Sequence, residues 1–189
     1  NGANAYCVKK IKMDELIKQE EEGDARAQFR LGLAFYKGNR VEKDEEKAFE
    51  WWMKAVEQGV EYAAYCLGCI NFEKKDFQMA MEYYLKAISD PVINEAGFQL
   101  GVIYENGLGL EKDIDKAIEY YKKGAAGLNM ASYLSTDALK RLGVIHSWAD
   151  LGINHQELCK NTQYRFDESW NELLISFSLL HSGVWLKIK

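Results

Sequence analysis

The residues of this 189-residue chain that could do chemistry are three histidines, four cysteines and 29 carboxylates. His155 and Cys159 stand four apart, a spacing that puts two metal ligands on one helical face, with His146 to complete the set. A metal site needs three or four ligands and a supporting shell, so the competing reading is a half-exposed helix near the end of the chain. Cys66 and Cys69 form a C-x-x-C. A redox C-x-x-C opens a helix beside a strand, and here the pair flanks Leu67-Gly68 with no strand pattern near it. Small packing residues account for them better. Cys7 and Cys159 have no visible base. Gly107-Leu108-Gly109 lacks the Lys-Ser/Thr of a phosphate loop, no serine stands in G-x-S-x-G, and runs such as Asp44-Glu45-Glu46 read as solvated faces. No catalytic constellation emerges, and no metal or cofactor is implied.

Composition narrows the classes further. Lys plus Arg number 24 against 29 Asp plus Glu, a net charge of −5, which disfavours a phosphate backbone as partner. A single proline suits long helices. Apolar residues make up 48% of the chain, enough for a packed core. The four cysteines are too scattered for a disulfide scaffold and fit a reducing compartment, so the cytoplasm is slightly favoured over export. The apolar stretch Leu173 to Leu186 is too short and too polar for a membrane span. The start at Asn1-Gly2-Ala3 reads as a trimmed chain, which leaves a removed signal open.

The elements that would position any site are set by a repeat. Leu-Gly recurs at Leu31-Gly32, Leu67-Gly68, Leu100-Gly101 and Leu142-Gly143, each leucine preceded at four residues by Ala27, Ala63, Ala96 or Ala138. A second pattern follows the first three copies: Ala48, Trp52 and Ala55, then Ala80, Tyr84 and Ala87, then Ala117, Tyr121 and Gly124. Steps of four and seven place each trio on one helical face. Turn residues separate the two patterns, Gly38-Asn39 in the first copy and Asn106 to Gly109 in the third, while the second copy has lost four loop residues at Glu73 to Asp76. Helix A carries Ala-x-x-x-Leu-Gly, whose small residues admit the aromatic of helix B. One hairpin cannot bury its apolar face, so neighbours must stack. The fold class expected is all-α, an α-solenoid of antiparallel helix pairs with a divergent C-terminal helical cap.

The pattern A-x-x-x-L-G-x-x-Y/F-x-x-G-x-G-V/L-x-x-D-x-x-K-A-x-x-W/Y-x-x-K-A resembles the Sel-one-like repeat, a relative of the tetratricopeptide repeat. The third copy fits most fully, at Ala96, Leu100, Gly101, Tyr104, Gly107, Gly109, Leu110, Asp113, Lys116, Ala117 and Tyr121. The first has Arg40 in place of the second loop glycine. The resulting partition is an N-terminal capping helix over 1–23, three repeats at 24–59, 60–91 and 92–127, then a degenerate fourth repeat and C-terminal cap over 128–189. Within the last stretch, Trp170, Leu173, Leu174, Phe177 and Leu180 lie at helical spacing, as a cap or as a partner-binding helix.

The resemblance implies a binding protein. By analogy with the tetratricopeptide repeat, the concave groove is lined two, six, nine and ten residues after the alanine of helix A. Those columns nominate Phe29, Leu33, Tyr36, Tyr65, Phe72, Phe98, Glu105, Lys140 and Trp148 as partner-binding residues. An aromatic row suits a protein or peptide segment and makes a small-molecule ligand a poor candidate. The competing reading packs these aromatics between helices or under the C-terminal cap. The function expected is a non-catalytic adaptor or scaffold. Alternatives within the family are a bacterial immunity or chaperone-like subunit for one cognate protein, and a weak β-lactam hydrolase. The latter relatives bridge cysteines within each hairpin, where this chain has Val56 and Ile88.

Overall fold

The computed structural model describes residues 18, 23–39, 41–89, 93–127, 129–146 and 148–151. Among these, seven α-helices and one short 3-10 helix account for the regular structure. No helix among the described residues is long and apolar enough to cross a membrane. The chain forms two compact units, one ending at Ile93 and one beginning at Asn94.

The first unit holds two hairpins, α1 (Ala25–Lys37) with α2 (Glu45–Glu57), and α3 (Glu61–Glu73) with α4 (Phe77–Ala87). Their starts follow from local chemistry. Asp24, Asp44 and Asp76 sit at the N-caps of α1, α2 and α4 and accept backbone N–H bonds from Arg26, Lys47 and Met79, which satisfies donors a helix start leaves without partners. Gly38 ends α1 in the left-handed conformation, φ +65°, with its N–H returned to the last turn.

The hairpins close where helix A carries its Leu-Gly. Trp52 of α2 lies over Gly32, and its indole Nε1–H donates to the Phe29 carbonyl at 3.2 Å. Tyr84 of α4 lies over Gly68, so that a Cβ built on that glycine would sit 2.6 Å from the ring. Ala48, Trp52, Ala55, Ala80, Tyr84 and Ala87 have no exposed surface. The alternation read as small, aromatic, small is therefore the inner face of helix B.

The second unit repeats the arrangement with α5 (Asn94–Asn106) and α6 (Ile114–Gly124), followed by α7 (Met130–Arg141) and the 3-10 helix Trp148–Leu151. Tyr121 covers Gly101, and Gly97 and Gly124 bring the α5 and α6 backbones together: a Cβ on Gly97 would stand 2.7 Å from the Gly124 nitrogen. Phe98, Val102, Ala117, Tyr121, Ala131, Ala138, Leu139 and Ile145 form the core.

The fourth Leu-Gly is used differently from the other three. In α1, α3 and α5 the motif alanine is the third residue and the Leu-Gly lies mid-helix. In α7, Ala138 falls in the last turn, Leu142 is the C-cap, and Gly143 follows at φ +71°. Here the glycine ends a helix and receives no aromatic, its Cβ position being open. The register of the other copies is met instead by Ala131, four residues after Gly127 as Ala27 follows Gly23 and Ala63 follows Gly59. Trp148 accordingly lies on the 3-10 helix and not on a helix A. The segments 1–17 and 152–189, with the expected capping helices, His155 and Cys159, lie outside the described residues.

Candidate functional site

The residues singled out for chemistry are structural where they are described. Cys66 and Cys69 are free thiols inside α3, 0% and 1% exposed. Burial, and then the neighbouring Cys69, push the Cys66 thiol well above its usual range, the opposite of a reactive cysteine. Gly107 and Gly109, at φ +67° and +72°, build the turn after α5, where the Leu108 N–H returns to the Ile103 carbonyl. His146 is exposed, its backbone N–H donating to Asp150 at 2.6 Å. Among the described residues no group of three His, Cys, Asp or Glu side chains could hold a metal ion.

The expected groove columns are placed otherwise. Phe29, Tyr65 and Phe98 are only 2%, 4% and 8% exposed, and Leu33 and Phe72 are buried too. The reason is visible in what they touch. Phe29 meets Tyr62 of the next helix A edge-on at 5.7 Å, Tyr65 packs against Tyr62 and Tyr84, and Phe72 lies edge-on to Phe77. Phe98 and Val102 belong to the core that α7 helps to close. The columns two and six after the alanine thus lie between helices, and do not form an open aromatic row. Tyr36 is half-buried against Trp52 at 5.5 Å. Glu105 receives the Tyr121 hydroxyl at 2.6 Å and a two-pronged pair from Arg141 of α7, so it joins helices within the second unit. Lys140 is exposed in the last turn of α7 and, because Ala131 sets the register of that helix, stands nine residues after the alanine and not two.

A family model described as the Sel1 repeat matches residues 25–60, 63–90 and 95–127, just over half of the chain. The chain belongs to the Sel1 repeat family. It is 34% identical over 102 residues to the ERAD-associated E3 ubiquitin-protein ligase component HRD3B of Arabidopsis thaliana, covering 52% of this chain and 16% of that protein. It is 29% identical over 142 residues to human Protein sel-1 homolog 2, covering 70% of this chain and 20% of that protein. The chain therefore spans about a fifth of the length of these curated relatives. Among solved structures, a Sel1 repeat protein from Oxalobacter formigenes shares 32% identity with a TM-score of 0.63, over 74% of this chain and 59% of that one. The protective antigen c5321 of uropathogenic Escherichia coli, which displays the same repeat fold, shares 27% with a TM-score of 0.62, over 74% of this chain and 31% of that one. The helix pairs are those of an α-solenoid. Sel1 repeat proteins are in general protein-interaction modules.

Two carboxylates of the third Sel1 repeat show opposite electrostatics. Burial raises the Glu105 carboxyl, but the hydrogen bonds from Arg141 and Tyr121 outweigh it and hold the group below its usual value. Glu95 is 5% exposed; one oxygen accepts from the Asn129 amide at 2.7 Å, and the other reaches no hydrogen-bond partner. Burial pushes this carboxyl up to about 7. Asn94 and Ser132 complete the cluster, Asn94 donating to the Ser132 hydroxyl at 2.6 Å and to the Gly124 carbonyl at 2.9 Å. Among the described residues no charged group contributes to that shift.

Two outcomes are expected. Phe98→Ala will cost about 3–5 kcal/mol in urea unfolding, as a buried core aromatic does; a loss near zero would return this side chain to an open surface. For Glu95 the folded state holds the proton more tightly than the unfolded chain, whose carboxyl titrates near its ordinary 4.5. Its favourable contribution is complete below that value and is lost as pH rises toward about 7. Glu95→Gln should therefore leave stability at acid pH nearly unchanged and raise it at pH 8 by roughly 3 kcal/mol. Parallel stability profiles for the two proteins across that range would contradict the assignment.

Proposed function

We propose that this Sel1 repeat chain is a non-catalytic protein-interaction module, an adaptor or scaffold that holds a segment of another protein on the concave side of its helices A. The observation that carries the reading is the division of labour along each helix A. The repeated residues are used in packing, while the position ten after the alanine stays exposed and changes character from copy to copy: Lys37, Glu73 and Asn106. A position that recurs in each helix A and varies in chemistry suits recognition of one particular partner by complementary polar groups. Half-buried Tyr36 adds an aromatic ring beside Lys37.

The relatives support the same reading. HRD3B is named as a component of a ubiquitin-ligase assembly, and the DAP3-binding cell death enhancer 1 of Rattus norvegicus, 30% identical over 92 residues, is named for binding another protein. By that likeness this chain holds a partner and leaves chemistry to others. The hydrolase reading rests on bridged cysteines, whereas Cys66 and Cys69 are free and sealed in the core.

The test is affinity enrichment from the source organism's lysate with wild type and a Lys37→Glu/Glu73→Lys/Asn106→Lys variant, both checked for helicity by circular dichroism. A protein held by wild type and released by the folded variant is the expected result. Equal capture by both would remove the site from these positions, and an empty wild-type lane would contradict the adaptor reading.

A further inference from the structure

Counted from Ala131, α7 has the register of a helix A but not its fastenings. Four and five residues after the alanine, α1, α3 and α5 carry Leu31-Gly32, Leu67-Gly68 and Leu100-Gly101, whereas α7 carries Ser135-Thr136. Each of those leucines is at most 2% exposed, and each of those glycines admits the aromatic of its helix B. Ser135 and Thr136 are buried as deeply but bring hydroxyls with them. The Thr136 hydroxyl donates within the helix, to the Ser132 carbonyl at 2.8 Å. The Ser135 hydroxyl lies against Gly124 and reaches no hydrogen-bond partner.

Among the described residues, three buried side-chain polar atoms of the second unit have no partner, against one, the Tyr84 hydroxyl, in the first. They are Ser135 Oγ on α7, with Glu95 Oε2 and Gln99 Oε1 one turn apart on α5. Such atoms give up water when the helices close and regain it when they part, so each favours the open form. The apolar attachment is thin. Leu139 is the one large apolar side chain of α7 that is fully buried among the described residues, with Ala131 and Ala138 beside it in the core, whereas α3 buries Tyr65, Leu67, Ile70 and Phe72. What else holds α7 is polar and sits at its two ends. At the start Asn94 donates to the Ser132 hydroxyl, and Asn129 donates to Glu95 at 2.7 Å; at the end Arg141 pairs with Glu105 at 2.6 Å.

We propose that α7 is a lid on the α5–α6 hairpin: it lifts as a unit and uncovers Phe98 and Val102, while the hairpin beneath stays closed. The hairpin has a seam of its own, Tyr121 over Gly101 and Gly97 against Gly124, in which α7 takes no part. Both polar clasps close on α5, so the Asn129 bond to Glu95 and the Arg141 pair with Glu105 part together as the lid lifts. Ser135 and Glu95 then return to water. An element with few buried apolar contacts opens at a lower free energy than the whole domain unfolds, and the lid belongs to that class. Its position decides when Phe98 and Val102, both buried in the core shared with α7, meet solvent.

Native-state hydrogen exchange on the full chain, read by mass spectrometry, tests this. Amides of residues 134–141 should exchange about a hundredfold faster, relative to their intrinsic rates, than those at the centres of α5 and α6. Arg141→Ala, a change to an exposed side chain, should speed exchange in α7 by about tenfold and leave α5 and α6 as they are. Ser135→Ala, which takes away an unmatched hydroxyl and adds nothing in its place, should slow exchange in α7 by about fivefold. Equal protection of the three helices in the wild type would overturn the proposal. So would an Arg141→Ala variant that speeds exchange equally in all three, or a Ser135→Ala variant in which α7 exchanges faster.

Discussion

The structure depends on one close approach. In each Sel1 repeat the glycine of helix A has no side chain because the aromatic of helix B lies where that side chain would be. Trp52 over Gly32, Tyr84 over Gly68 and Tyr121 over Gly101 are three instances of a single contact, and in each the aromatic is fully or almost fully buried. The small residues that flank the aromatic, four before it and three after, bring the two backbones together along the rest of the hairpin, to the point where Gly97 and Gly124 all but touch. Dispersion falls steeply with separation, so a hairpin that closes this far gains from every atom along the seam. Everything else is hung on that seam. The turns are set by capping aspartates and left-handed glycines, and the surface positions are free to vary because they take no part in it.

The same seam explains why the fold could be read from the sequence and the recognition surface could not. A one-dimensional repeat shows which positions are fixed, and the trios Ala48-Trp52-Ala55, Ala80-Tyr84-Ala87 and Ala117-Tyr121-Gly124 stand where that pattern predicts. It does not show which of the remaining faces is covered by a neighbour. Phe29, Tyr65 and Phe98 repeat as faithfully as core residues because they are core residues, buried between helices. An analogy with a more open helical repeat assigns the same positions to a groove. The fourth Leu-Gly misleads in a related way. Leucine and glycine at the end of a helix serve a C-cap as naturally as they serve a mid-helix seam, and only the left-handed Gly143 separates the two uses. The interval from Gly127 to Ala131, matching Gly23 to Ala27 and Gly59 to Ala63, is the sequence signal that gives the register of α7.

Polar contacts divide by what their neighbours supply. Glu105 is partly buried but holds both Tyr121 and Arg141, so it fastens α5 to α6 and α7 as an ionised group. Burial and that hydrogen bond push the Tyr121 phenol far above its usual range, so the pair is a carboxylate accepting from a neutral hydroxyl. Glu95 lies buried beside the Asn129 amide, and burial disfavours its charge. The two carboxylates differ in depth and in partners alike: burial opposes the charge of Glu95, whereas the bonds from Arg141 and Tyr121 outweigh the lesser burial of Glu105.

A double-mutant cycle on Gly101 and Tyr121, followed by urea unfolding, measures the seam most directly. A methyl group on Gly101 would stand 2.5 Å from the Tyr121 ring. Gly101→Ala alone should therefore destabilise the protein by about 1–3 kcal/mol, despite the better helix propensity of alanine. In a Tyr121→Ala background the obstruction is gone, and the same change should be neutral or stabilising. A reversal of that kind would place the energy in the glycine–aromatic contact. Equal costs of Gly101→Ala in both backgrounds would contradict it.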